Sequence, residues 1–176
     1  MPTIDVEEQN TDELLALMEF VEHFNIHYKL LLRRYARFKQ INTIDNTDID
    51  VITYLDMIVV QLRAMCIESA YLKKNYTAQI LLRKVGEDAL AEKLDAMLDE
   101  EFLEGVTDFS IRKALKVLAD GFVCHYDNFD GPEKDGWAMA NIIEAKLRSP
   151  YDNCNLDHIM QVLIDCIGEG LSIKLK

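Results

Sequence analysis

The best candidate for catalysis is a run of four residues just before a loop rich in Gly and Pro: His125, Tyr126, Asp127 and Asn128. The imidazole of His125 could act as a general acid and base, with the carboxylate of Asp127 orienting the ring. Such a pair needs a cation for the developing charge, and Arg112 and Lys116 are the nearest upstream candidates. The run also suits a helix end followed by a turn, where histidine gains from the helix dipole and Asp and Asn favour turns.

A second candidate lies near the N-terminus, where His23 and His27 are one helical turn apart and Glu19 continues the same line. Such a column can bind a metal ion if another element adds ligands. The spacing of the apolar neighbours turns His23 outward and leaves His27 beside the buried stripe, so ordinary surface histidines are the alternative. We expect no metal and no cofactor, with His23 and His27 as the only metal candidates.

A third candidate could stack a nucleotide base. Tyr71 and Tyr76 flank Lys73 and Lys74, with Asn75 beside them, and aromatic rings next to cations bind single-stranded nucleic acids. Asn75 and Tyr76 are therefore predicted binding residues, together with the aromatic and amide side chains of the four-residue run. The alternative is that these tyrosines only close a helix end.

Other catalytic motifs are absent from the sequence. It has no Gly-rich phosphate loop, no Gly-x-Ser-x-Gly elbow and no His-Glu-x-x-His. The four cysteines form no Cys-x-x-Cys pair, which predicts free thiols rather than a zinc or dithiol site. The acidic run from Asp95 to Glu104 is typical of a solvated helix face, because a cation site needs oxygen ligands that converge in a loop.

The charge balance limits the partners. The chain has Lys+Arg 19 against Asp+Glu 31, a net charge of −12, and no basic run longer than two residues. Binding to nucleic acid or to an anionic membrane depends on cations facing phosphates, so both are disfavoured. The sequence lacks an apolar stretch of the roughly 20 residues that span a bilayer, and its acidic start does not resemble a signal peptide, so we expect a cytoplasmic protein.

The elements that must position these residues are helices. Only 7 Gly and 3 Pro occur in 176 residues, of which 49% are hydrophobic. Apolar residues alternate three and four apart over 11–40, which predicts one long helix with this buried stripe: Leu14, Leu17, Val21, Phe24, Tyr28, Leu31, Tyr35 and Phe38. Further helices are predicted at about 51–71, 78–85, 87–102, 107–124, 137–148 and 155–168. We expect an antiparallel all-α bundle of six or seven helices.

Three short segments carry a family resemblance over about residues 10–128. They are Ile67-Glu68, then Lys73-Lys74-Asn75-Tyr76-Thr77, then Val123-Cys124-His125-Tyr126-Asp127. Here the chain resembles the HEPN superfamily (higher eukaryotes and prokaryotes nucleotide-binding domains), in its abortive-infection-like bacterial branch. HEPN ribonucleases place an Arg a few residues before the His, and two protomers bring these pairs together. His125 matches that His, but Leu118, Ala119 and Asp120 occupy the positions of the Arg.

We therefore expect one domain over 1–176, with a flexible segment 1–10, a HEPN-like core 11–128 and a helical extension 129–176. The resemblance implies a non-catalytic interaction module in bacterial stress or phage defence, such as a toxin–antitoxin pair. It also implies a homodimer, and the aromatic stripe of the first helix offers apolar surface for one; a protein partner is a further expectation. The alternatives are a metal-independent ribonuclease that uses His125 and a helical-bundle metal-binding protein.

Overall fold

The three-and-four spacing near the N-terminus forms one long helix, as predicted. In the computed structural model α1 spans Thr11–Ile41, and the structure describes residues 3–6, 11–43, 49–68, 77–106, 108–120 and 134–175. At 1.5 Å per residue, the 31 residues of α1 extend over about 46 Å. Helix α1 packs mainly against α2 (Ile49–Cys66) and also contacts β2 (Ser172–Leu175).

Seven helices and two strands occur in the described part of the chain, which confirms the all-α prediction at the level of class. After α1 the elements are α2 Ile49–Cys66, α3 Ala78–Lys84, α4 Asp88–Leu98, α5 Ile111–Leu118, α6 Lys134–Arg148, α7 Leu156–Ile167 and β2 Ser172–Leu175. Strand β1, Thr3–Val6, pairs in parallel with β2. These N-terminal residues were expected to be flexible, and it is the backbone of the C-terminal tail that gives them a partner.

Local sequence signals define the start of three helices. Thr77, Ser110 and Asn155 cap α3, α5 and α7, because each side chain accepts a hydrogen bond from the backbone N–H three residues later. Gly86 follows α3 with a φ of 77°, a conformation that favours glycine just after a helix. The helices predicted at about 78–85 and 155–168 therefore begin within one residue of α3 and α7.

Two helices end earlier than their periodicity predicted. Helix α2 ends at Cys66, where the carbonyl oxygen of Arg63 accepts hydrogen bonds from the N–H groups of both Ile67 and Glu68. Helix α4 ends at Leu98, because the chain then turns so that the N–H of Phe102 donates to the carbonyl of Phe109 at 2.8 Å. The two Phe rings, 6.3 Å apart, are buried under this turn and contribute apolar surface outside any helix.

The stripe of α1 lies in the core of a single copy, against α2. Phe24, Tyr28, Leu31 and Phe38 are each no more than 5% exposed. The expectation that this stripe offers free apolar surface for a dimer is therefore wrong for these residues, since the same chain already covers them. None of the described helices has the length and apolar character needed to span a membrane.

The segment after α7 is fastened to α1. Asn25 donates from Nδ2 to the carbonyl of Leu171 at 2.8 Å and accepts from its N–H at 2.9 Å. The hydroxyl of Tyr28 donates to the carbonyl of Gly168 at 3.0 Å, and burial raises the pKa of this tyrosine to about 12. Gly170 has a φ of 138° and lies so close that an added Cβ would come within 2.7 Å of Asn25. These contacts fix the chain just before β2.

Candidate functional site

Arg112, a predicted catalytic cation, lies in the first turn of α5, and its guanidinium binds two carboxylates, one on α4 and one just after its end. Its Nε donates to Asp99 Oδ1 at 2.9 Å and its Nη2 contacts Asp95 Oδ1 at 3.3 Å. Burial lowers the pKa of Arg112, but the hydrogen bonds and charges of Asp99 and Asp95 outweigh this effect and hold it above its ordinary value. The guanidinium is thus a charged structural group between two helices.

Asp95 is the centre of this network. Its carboxylate also accepts from Arg83 at 2.7 Å and from the buried amide of Gln79 at 3.2 Å, both on α3. Burial raises the pKa of Asp95, but hydrogen bonds from Arg83, Arg112 and Gln79 lower it more, so the pKa lies below its usual range. Asp95 therefore joins α3, α4 and α5, and this part of the acidic run is not a merely solvated face.

Glu100 and Glu101 of the acidic run also have partners. Glu100 Oε2 lies 2.9 Å from Nε2 of His158 on α7, and Glu101 accepts from the N–H of Gly105 at 2.8 Å. Among the described residues, no cluster of three or more His, Cys, Asp or Glu side chains could hold a metal ion. The acidic run is therefore used to tie neighbouring segments together.

Asp120 occupies the last position at which the family motif would have an Arg. Its Oδ1 accepts from Nη2 of Arg63 at 2.7 Å, and Nη1 of the same guanidinium contacts Glu68 at 3.0 Å. Arg63 belongs to α2, 57 residues earlier in the chain, and sequence reasoning missed it. The only sequence signal for a role of Arg63 was Asp120, because a half-buried carboxylate needs a cation.

Lys116 lies one turn after Arg112 on α5 and is exposed. No ion pair or hydrogen bond to this ammonium group occurs among the described residues. The other predicted residues of the catalytic and binding sites, His125, Tyr126, Asp127, Asn128, Asn75 and Tyr76, lie outside the described residues. The structure thus brings together Arg112 and its acidic partners, and the proposed role of His125 stays a prediction.

The two histidines of α1 do come together. Nε2 of His23 and Nε2 of His27 are 3.0 Å apart, and their ring centroids are separated by 4.5 Å. His23 is exposed and His27 is half-buried, as their positions beside the apolar stripe predicted. Both rings therefore present a nitrogen to the same point near the surface.

A cleft of about 560 Å³ lies where the end of α1 meets the connection between α6 and α7. Its walls include the following polar and aromatic side chains: Lys39, Asn42, Arg148, Tyr151 and Asp157. Lys39 forms an ion pair with Asp157 at 3.0 Å, and Asn42 Nδ2 donates to the carbonyl of Arg148. Because these groups already bind one another, the cleft presents little free charge to a ligand.

The cysteines show no redox arrangement in the described part of the chain. Cys66, Cys154 and Cys166 are free and buried, which confirms the prediction of free thiols for these three; Cys124 lies outside the described residues. Burial raises the pKa of the Cys66 thiol to about 12, so it stays protonated and unreactive.

The chain matches no protein-family model, no curated protein and no solved structure. Its function is therefore inferred from its own residues.

Proposed function

We propose that this chain is a non-catalytic interaction module with a HEPN-like antiparallel bundle, and that it binds a second copy of itself through the outward face of α1. The observation that carries the proposal is the exposed apolar surface of that face, which lies opposite the buried stripe. Four apolar side chains on it are exposed: Leu15, Met18, Ile26 and Leu30. Large apolar residues that line up on one exposed helix face favour association with another surface.

The charges on this face are arranged for self-association. Exposed Glu19 and Glu22 precede Ile26, whereas exposed Lys29 and Arg33 follow it. Glu19 is seven residues before Ile26 and Arg33 is seven residues after it, which is two helical turns in each direction. If two copies of α1 cross antiparallel at Ile26, each Glu19 faces Arg33 of the other copy. A twofold axis requires such a self-complementary surface.

The same charges would repel in a parallel pair, because acid would face acid and base would face base. Their arrangement therefore selects the antiparallel orientation as well as the partner. A contact between two single helices is at or below the size of ordinary stable interfaces, about 1,200 Å². We expect a dimer that forms at micromolar concentration and weakens as the salt concentration rises.

The cation chemistry supports a binding role over RNA cleavage. Arg112 is neutralised by two carboxylates, and Arg63, the guanidinium nearest the family's Arg position, is neutralised by Asp120 and a second acid. A ribonuclease must offer a free cation to the phosphate in the transition state, and Lys116 is the only predicted catalytic cation that is unpaired among the described residues. Together with the net charge of −12, these ion pairs favour a protein partner.

The test is a change at the centre of the face. Ile26→Glu should convert the dimer into a 20.3 kDa monomer in light scattering, because it places two like charges at the axis. Ile26 is 58% exposed, so the melting temperature should change by no more than a few degrees. Ile142→Glu on α6, at a residue 49% exposed, is the matched control and should leave the dimer intact.

Charge reversal tests the pairing itself. Glu19→Lys alone and Arg33→Glu alone should each weaken the dimer by about 10-fold or more, and the double swap should restore most of the affinity. A wild-type monomer at high concentration would overturn the proposal. Failure of the double swap to rescue would show that the two side chains do not face each other.

A further inference from the structure

The arrangement of His23 and His27 is suited to a metal ion. In the described structure their Nε2 atoms are 3.0 Å apart, and the two rings are tilted by 58° rather than stacked. Neither imidazole has another hydrogen-bond partner among the described residues. Two neutral imidazoles that converge on one point can share a proton in a hydrogen bond, or can both donate electron pairs to a metal.

The nitrogen separation of 3.0 Å is an ordinary hydrogen-bond distance and also fits two adjacent ligand positions of a metal ion. With metal–nitrogen bonds of about 2.1 Å, two ligands at a right angle are about 3.0 Å apart, whereas a tetrahedral angle separates them by about 3.4 Å. The observed 3.0 Å matches two adjacent positions of an octahedral or tetragonal ion. Ni²⁺ and Cu²⁺ prefer such geometries with nitrogen ligands, and Zn²⁺ would need a small opening of the pair.

The backbone holds the pair in place. Histidines at i and i+4 lie on one face of a helix, as in helical metal-binding motifs. The carbonyl of His27 accepts a hydrogen bond from Nε2 of the buried Gln61 on α2, and Gln61 Oε1 accepts from Arg34 at 2.8 Å. This turn of α1 is therefore fixed against the core while the imidazoles reach the surface. A prearranged pair binds more tightly, because little ordering entropy is lost on binding.

The geometry points to a two-histidine chelate on α1: His23 and His27 bind a divalent transition-metal ion through their Nε2 atoms in adjacent positions. The remaining positions of the ion face solvent and are filled by water or by a small donor ligand. The site lies within one copy, so it goes beyond the proposed self-association and does not depend on it. Binding requires both imidazoles to be neutral, so protons compete with the metal ion and affinity falls as the pH decreases.

Calorimetric titration of the whole protein with Ni²⁺ alone and with Cu²⁺ alone is the test. We expect one ion per chain at pH 7.5 and a large loss of affinity at pH 5.5. His23→Ala and His27→Ala should each weaken binding by about 10- to 100-fold, because the second ligand acts at a high effective concentration. His158→Ala is the matched control and should bind the ion like wild type, since His158 on α7 is paired with Glu100.

Electron paramagnetic resonance of the Cu²⁺ complex gives an independent readout. Wild type and the monomeric variant Ile26→Glu should both show coupling to two imidazole nitrogens, and each single histidine variant should show one. Unchanged affinity in either histidine variant, or one nitrogen in the wild-type spectrum, would overturn the proposal and leave only a hydrogen bond between the rings. Loss of the signal in Ile26→Glu alone would show that the site needs two copies, against the inference.

Discussion

Asp95 joins three helices, so removing its charge should measure how much this network stabilises the fold. Asp95→Asn keeps the size of the side chain but places an amide against two guanidinium groups, those of Arg83 and Arg112. A hydrogen bond to a charged group contributes about 1.5–3 kcal/mol when buried and at most about 1 kcal/mol when exposed. The Asp95 side chain is 32% exposed, so we assign about 1 kcal/mol to each arginine contact.

The expected loss is therefore about 2 kcal/mol, or about 4–8 °C in melting temperature for a chain of this size. Urea denaturation followed by circular dichroism at pH 7 measures it. Asp99→Asn is the matched control: this side chain is 65% exposed and contacts only Arg112, so the loss should stay below about 1 kcal/mol. Equal losses in the two variants would refute the assignment of Asp95 as the centre of the network.

The difference in stability between wild type and Asp95→Asn should depend on pH with a defined sign. The hydrogen bonds that Asp95 accepts outweigh its burial and hold its pKa below the usual range in the folded state. The charged carboxylate therefore stabilises the fold at every pH above the unfolded pKa of about 3.9, and this contribution is lost as the pH falls through the folded pKa. The gap between wild type and Asp95→Asn should be constant from pH 7 to pH 5 and should close only below about pH 4. A gap that closes near pH 6 would contradict the reasoning.

Three further predictions test the core, a half-buried acid and the catalytic alternative. Leu31→Ala, at a fully buried residue of α1, should lower the free energy of unfolding in urea by about 3 kcal/mol. Leu15→Ala, at a residue 53% exposed, should lower it by less than about 0.5 kcal/mol. Similar losses in the two variants would mean that the buried stripe is misassigned. Burial and the nearby Glu144 raise the pKa of Asp56 to about 6, so wild type loses stability as the pH rises from about 4 to 6. Compared with wild type, Asp56→Asn should therefore be more stable to urea by about 1 kcal/mol at pH 7 and equally stable at pH 4. Metal-free protein should leave single-stranded RNA intact on a sequencing gel, and a cleavage activity that falls about 10²-fold in His125→Ala would establish the ribonuclease instead.

The features that the sequence determined are local. The alternation of apolar residues defined α1 because a helix repeats every 3.6 residues, and its inward face follows from that period alone. The starts of α3 and α7, near the predicted positions 78 and 155, are local as well, because the side chains of Thr77 and Asn155 each bind an N–H three residues away. The approach of His23 to His27 belongs to the same class, since a helix places residues i and i+4 side by side.

The charge partners were decided by tertiary structure. Arg112 was predicted as a catalytic cation because sequence proximity to His125 was the only available guide. Its actual partners are Asp95 on α4 and Asp99 just after the end of α4, and they reach it only because α4 and α5 pack side by side. Likewise, Arg63 on α2 meets Asp120 just after the end of α5. A charged side chain binds whichever opposite charge packing brings within about 4 Å, and no sequence period encodes that distance.

The ends of elements and the pairing of the termini also required the folded chain. Helix α4 stops before Phe102 because that ring is buried against Phe109 outside the helix, although helical spacing alone would have continued. Strands β1 and β2 come from opposite ends of the chain, and each is only 4 residues long. So short a strand has no stable form alone, because its backbone hydrogen bonds need a partner strand. Contacts of α1 with the segment that follows α7 fix the chain just before β2, the partner strand of β1.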